Sequence, residues 1–175
     1  MKIRSESPAD LDKIYDFIKT AFATADFKDG TEQDYADCLR DSPGYIPQLA
    51  LVAEDNAGNL LGHVMFTHIS VDEEDKKRPA LMLAPLSVAL ECRKRGVGSA
   101  LVRHGLKLAT DMGHRLVFLA GDRNYYGRFG FEPVLHYGLE CNFEVPPEHV
   151  LNILVRQLVP GGLEGVKGVI QFPAP

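Results

Sequence analysis

The chain has 175 residues, 45% of them hydrophobic and 25% charged, which is the balance of one compact domain with its own core spanning residues 1–175. Lys and Arg number 19 against 24 Asp and Glu, and the resulting net charge of -5 argues against general binding to a nucleic-acid backbone. No apolar run approaches the length of a membrane span and the first ten residues hold no apolar signal core, so a cytoplasmic protein with no membrane contact is expected.

Along the chain, helices and strands alternate. Ser7, Pro8 and Asp10 signal a helix start, and Leu11, Ile14, Phe17, Ile18, Ala21 and Phe22 recur at helical spacing, which predicts a helix over about 8–23. Thr31 caps a second, short helix with Tyr35, Cys38 and Leu39 on one side, ended by Pro43 and Gly44. Two β-prone runs, 49–54 and 61–71, are joined by a D-N-A-G-N turn and read as a hairpin. A charged loop ending in Pro79 precedes a third long strand over 80–90, which Pro85 interrupts because proline cannot donate to a ladder. Val97, Ala100, Leu101, Leu108 and Met112 mark one face of a long helix closed by Gly113. A short all-apolar strand over 116–120, a loop with at most one helical turn, a strand near 131–134 and a last strand-like piece over 166–172 complete the pattern. The expected fold is a mixed α/β sheet with helices on its faces. Cys38, Cys92 and Cys141 fit neither a disulfide framework nor the paired spacing of a zinc site, so free, at least partly buried thiols and no metal are expected.

The chemistry concentrates where a strand, a basic triplet, a Gly-x-Gly pair and a long helix follow one another. A helix N-terminus presents unpaired N–H groups and the positive end of the helix dipole, and glycines admit an anion close to the main chain. Arg93, Lys94 and Arg95 set cations beside this cradle for a diphosphate. A Walker A loop requires Lys and then Ser or Thr directly after its last glycine, and the residues here do not supply them. A dinucleotide fingerprint requires a third glycine where Leu101 stands.

Arg93-x-x-Gly96-x-Gly98, following Leu86-Ser87-Val88, resembles the acetyl-CoA loop of the GNAT acetyltransferases, Q/R-x-x-G-x-G/A. The later run Y-Y-G-R-F-G-F is similar to the Tyr-x-x-x-Gly-Phe of the same family and places Tyr126 at its tyrosine. The resemblance covers about residues 52–134. It implies a mostly antiparallel central sheet of six or seven strands, splayed between the fourth and fifth and flanked by helices. It implies acetyl-CoA as cosubstrate, with the backbone of Leu86, Ser87 and Val88 along the pantetheine arm. The amides of Arg95, Gly96, Val97, Gly98 and Ser99 would take the pyrophosphate, with Arg93 and Lys94 beside them, and the Val88 N–H would polarise the thioester carbonyl. Tyr126 would protonate the departing thiolate, a role suited to a phenol of pKa roughly 10. Some relatives carry an asparagine ahead of this tyrosine, and the resemblance implies that Asn124, at a different offset, would take that cofactor contact.

The implied reaction is direct attack on the thioester by a primary amine, carried by a small molecule or a peptide. The alternative is an acyl-CoA-binding domain without turnover. Glu54, His68, Glu91 and His136 lie on or near strands that border the site, and none is assigned as the general base. The resemblance also makes 166–172 a candidate strand for pairing into a homodimer.

Overall fold

The computed structural model describes residues 1–26 and 28–174. Its internal contacts gather into two compact units, residues 1–67 with 84–108, and residues 68–83 with 109–174.

The first unit holds β1 (Lys2–Ser5), α1 (Leu11–Phe22), α2 (Glu32–Asp41) and β2 (Ala50–Glu54), with parts of β3 (Leu60–Asp72), β4 (Lys77–Val88) and α3 (Val97–Asp111). The predicted first helix divides into a 3-10 turn at Pro8–Asp10 and α1. Its start is fastened reciprocally: Asp10 N–H donates to Ser7 O at 2.9 Å, while Ser7 N–H and Oγ–H donate to Asp10 Oδ2 at 2.8 and 2.7 Å. Ile14 and Ile18 of α1, Ala36 of α2 and Val52 of β2 are fully buried together, with Phe22 and Leu60 packed against them. Each large side chain removed from water in this way contributes about 1.5–3 kcal/mol. In α2 the buried residues are Gln33, Ala36 and Leu39, so the apolar side expected at Tyr35 and Cys38 is rotated and Cys38 is exposed.

β1 pairs antiparallel with β2, from Lys2 opposite Glu54 to Ser5 opposite Leu51, and β2 pairs antiparallel with β3, with a bulge between Ala53 and Glu54. The sequence does not announce β1, because four residues are too short for a period of two to stand out; its partner strand supplies the ordering. The β2–β3 turn is tied by Asp55, whose carboxylate accepts from the amides of Ala57 and Asn59 at 2.8 and 2.9 Å.

Directly after β1, Glu6 is buried and fully engaged. Its carboxylate accepts from Arg40 Nε at 2.6 Å, from the Tyr45 hydroxyl at 2.9 Å and from His63 Nε2 at 2.9 Å. Burial alone would raise the Glu6 pKa, but the bonds from His63 and Arg40 outweigh it and hold the group at about 2.

The second unit joins the remaining parts of β3, β4 and α3 to β5 (Leu116–Ala120), α4 (Arg123–Tyr126), β6 (Glu132–Pro133), β7 (Leu139–Cys141), β8 (Ile153–Gln157) and β9 (Gly168–Gln171). β4 and β5 are parallel, and their register covers Leu81 with Val117 and Met82 with Phe118 before it stops, short of Pro85. β5 and β6 each pair antiparallel with β8, while β9 pairs antiparallel with β3 and parallel with β7. Nine strands in mostly antiparallel pairs, with four α-helices, make the described residues a mixed α/β fold. The three strands not expected from the sequence are β1, β7 and β8, of four, three and five residues. Among the described residues no helix is long and apolar enough to cross a membrane.

Candidate active site

In the first unit, β4 ends at Val88 and a 3-10 turn over Leu90–Cys92 leads to the basic triplet. Cys92 N–H donates to Ala89 O at 2.9 Å, and Arg95 N–H donates to Cys92 O at 3.3 Å. The chain then reverses through left-handed conformations at Lys94 and Gly96, with φ of 60° and 86°. Gly96 meets that demand without the strain a Cβ would bring, whereas Lys94 adopts it as a side-chain-bearing residue. Ala100 N–H donates to Gly96 O at 2.9 Å and closes the first turn of α3. The amides of Val97, Gly98 and Ser99 precede that bond, so they lie in the stretch where a helix has no acceptor of its own. Lys94, Arg95 and Gly96 are exposed, while Val97 and Gly98 are buried. A helix start with three such donors, and exposed cations two and three residues ahead of it, is chemically fitted to hold a diphosphate.

The three basic residues are not equivalent. Arg93 donates through Nη1 to Thr24 Oγ1 at 3.1 Å and through Nη2 to Ala21 O, so its guanidinium grips the C-terminal end of α1. That end carries unsatisfied carbonyls and the negative pole of the helix, a natural seat for a cation. Lys94 and Arg95 extend the positive charge outward.

Two glycines that the sequence reading passed over set the depth of α3. A Cβ on Gly62 of β3 would lie 2.7 Å from Leu101 Cδ1 and 2.9 Å from Val97 Cγ1. One on Gly105 of α3 would lie 2.3 Å from the Phe66 ring. Helix and strand therefore approach more closely than any side chain at these positions would allow. A glycine inside a β-prone run is the sequence signal for such an approach.

In the second unit, Asp122 caps α4 by accepting from Asn124 N–H at 2.9 Å, and the Asn124 side chain is exposed. Tyr126 is partly exposed, and its ring meets Tyr125 edge-on at 4.9 Å and Phe131 at 5.8 Å. It also lies over Gly121, where a Cβ would be 2.6 Å from Tyr126 Cε2. Burial, and secondarily Tyr125, push the Tyr126 pKa above that of an ordinary phenol, so the hydroxyl keeps its proton throughout the neutral range. Gly130 takes φ of 82° where the next turn ends, and Phe129 and Phe131 are buried on either side of it.

The four acids and histidines considered for the base have separate surroundings. Glu54 is paired with Arg4 at 2.9 Å, and His68 lies against His114 with ring centroids 5.2 Å apart. Glu91 and His136 are exposed.

The family described as "Acetyltransferase (GNAT) domain" matches residues 2–134 of the chain. A curated relative described as "Uncharacterized N-acetyltransferase YhbS", from Escherichia coli K12, is 32% identical over 172 residues, covering 98% of this chain and 96% of the relative. The crystal structure of the Escherichia coli GNAT family N-acetyltransferase YhbS in complex with CoA matches with a TM-score of 0.85 at 28% identity, covering 98% of this chain and 89% of that one. A GNAT family acetyltransferase from Brucella melitensis in complex with acetyl-CoA matches with a TM-score of 0.77 at 26% identity, over 99% of this chain and 96% of that one.

Proposed function

The chain belongs to the GNAT acetyltransferase family, and from that premise we propose that it moves the acetyl group of acetyl-CoA to a primary amine by direct attack within a ternary complex. The observation that carries the reading is the start of α3, where Val97, Gly98 and Ser99 offer amides behind two exposed cations. In this reading the pyrophosphate of coenzyme A is taken by those amides with Gly96 and Arg95, and Lys94 adds charge. Arg93 contributes by holding the loop against α1. The pantetheine arm runs along Leu86, Ser87 and Val88, and the Val88 N–H faces the carbonyl oxygen that becomes negative during attack. Asn124 is assigned to the cofactor and Tyr126 to protonation of the departing thiolate. Support comes from two relatives with 26–28% identity over nearly the whole chain, whose crystal structures hold CoA and acetyl-CoA.

Titration calorimetry with coenzyme A, ATP and NAD tests the cradle. Coenzyme A is expected to bind, ATP and NAD are not, and Gly98→Glu is expected to abolish binding by adding bulk and negative charge. Thiol release from acetyl-CoA across a panel of primary amines then tests transfer. Binding without release on any amine would leave an acyl-CoA-binding domain in place of an enzyme.

A further inference from the structure

Among the described residues, four buried side-chain nitrogen or oxygen atoms have no hydrogen-bond partner, and two of them are His63 Nδ1 and Ser87 Oγ. Such orphans are costly, and a native fold keeps them where a transient partner arrives. These two lie on neighbouring strands. Ala89 N–H donates to Leu61 O at 3.0 Å, which pairs those residues, and two residues further along each strand His63 stands opposite Ser87. A Cβ on Gly62 would be 3.1 Å from Ser87 O, which fits the same register. Gly62 faces Val97 and Leu101 of α3, so by the alternation of a strand His63 and Ser87 share the opposite face. Directly opposed residues carry their Cβ atoms about 5 Å apart.

His63 is 0% exposed and Ser87 3% exposed. Because the Glu6 carboxylate sits 2.9 Å from His63 Nε2, the ring proton belongs on Nε2 and Nδ1 is left with its lone pair. Strand β4 thus brings a hydroxyl with a proton to give to an imidazole nitrogen with a lone pair to receive it, and a buried carboxylate stands behind that imidazole.

We infer that Ser87, His63 and Glu6 form a buried hydroxyl–imidazole–carboxylate array through which the attacking amine loses its proton. The inference rests on the acetyltransferase reading, which runs the pantetheine arm along the backbone of Ser87. As the amine nitrogen bonds to the thioester carbon, its N–H proton passes to Ser87 Oγ and the Ser87 proton passes to His63 Nδ1. The carbon–sulfur bond then breaks, the sulfur takes a proton from Tyr126, the imidazolium returns its proton to solvent by the reverse route, and Tyr126 regains a proton from solvent. No bond to Ser87 other than O–H is made or broken. Burial lowers the His63 pKa against the raising effect of Glu6, so the imidazole is neutral and ready to accept at neutral pH. A weak base suffices, because an amine nitrogen becomes acidic once it is bonded to the carbonyl carbon. The charged and titratable groups around the ring are Glu6 after β1, Arg40 of α2 and, through Glu6, Tyr45. Ser87 is the catalytic group in this scheme and His63 and Glu6 position and discharge it.

The test compares wild type, Ser87→Ala and His63→Gln, using acetyl-CoA and the primary amine of the panel that is turned over fastest. Both variants are expected to lose roughly 10²-fold or more in kcat. Their coenzyme A affinity should stay within about twofold of wild type, since main-chain donors and Lys94 are untouched. The acid limb of the wild-type kcat–pH profile, where His63 becomes protonated, should vanish in both. Retention of wild-type kcat and acid limb in either variant overturns the array, as does a loss of kcat that merely tracks lost coenzyme A affinity and a lowered melting temperature. Ser87→Ala removes one atom, so it reports even if His63→Gln folds poorly. Wild-type protein that binds no coenzyme A, or releases no thiol with any amine, instead overturns the acetyltransferase reading itself, and the proton route with it.

Discussion

Replacing Gly62 by alanine tests whether the start of α3 is seated where the cradle requires it. The new methyl would stand 2.7 Å from Leu101 Cδ1, 2.9 Å from Val97 Cγ1 and 3.1 Å from the carbonyl oxygen of Ser87. Carbon pairs settle at about 3.5–4.0 Å, so something must yield by roughly an ångström. Leu101 is fully buried, Val97 is β-branched and stiff, and the Ser87 oxygen is main chain, so no neighbour yields cheaply. Overpacking of this kind costs about 1–3 kcal/mol, against about 0.4–1 kcal/mol returned by the less flexible unfolded chain. The net is a destabilisation of about 1–2 kcal/mol, or a melting temperature lower by about 2–8 °C in a chain of this size. Because Val97 is the first residue of α3, the displaced group is the one whose amide opens the cradle, and coenzyme A affinity should fall along with stability. Calorimetric melting and titration with coenzyme A measure the two effects, and Gly62→Ala combined with Val97→Ala should recover part of each. A Gly62→Ala protein with unchanged melting and unchanged affinity would refute the claim that close approach at this glycine sets the helix.

Tyr126→Phe keeps the ring against Tyr125, Phe131 and Gly121 and removes only the hydroxyl with its proton, so kcat is expected to fall roughly 10²-fold with coenzyme A affinity unchanged, as read by steady-state kinetics and calorimetry. Acid stability should follow Glu6: its pKa in the fold, about 2, lies below that of the unfolded chain, so its contribution is complete above about pH 4.5 and is lost as pH falls toward 2. His63 acts in the same direction at higher pH, because the fold keeps it neutral while the unfolded chain takes up a proton below about pH 6.5. Melting followed from pH 7 to 2 should thus decline in two stages. Glu6→Gln should shrink the lower stage, to which Asp10 beside Arg4 also contributes, and cost roughly 3 kcal/mol at neutral pH by leaving buried Arg40 with only the half-exposed Asp37 as counter-charge.

What the sequence disclosed and what it withheld divide along physical lines. Helical periodicity from Leu11 to Phe22, the Asp-Asn-Ala-Gly-Asn turn between β2 and β3, and the Gly-x-Gly start of α3 are local signals, and each element forms within a few residues of where those signals place it. β1 and β7 are four and three residues long and owe their extended form to a partner strand, which no local pattern encodes. The same holds for side-chain partnerships. Arg93 was legible as a cation beside an anion site, but its grip on Ala21 and Thr24 joins positions some seventy residues apart. Glu6 and His63 are separated by 57 residues, and neither carries a motif; only the register of β3 and the entry of the chain after β1 bring them together.

These long-range partnerships bear on a single physical requirement. A helix N-terminus binds an anion well when its amides are already in place, because any ordering left to be done at binding is subtracted from affinity. Here the loop is held on one side by Arg93 at the end of α1, and the helix is set on the other by the glycine contacts with β3. Lys94 is held with φ of 60°, a conformation whose cost of order 1–3 kcal/mol persists only where surrounding structure enforces it. The strained residue therefore lies between two fixed points, one the arginine before it, hydrogen-bonded to the end of α1, and the other the glycine-seated helix after it. In the proposed reading, a turn that is strained, flanked by anchors and led by cations is a site built before its ligand arrives, which is why packing at Gly62, which itself carries no ligand contact, is expected to register in coenzyme A affinity.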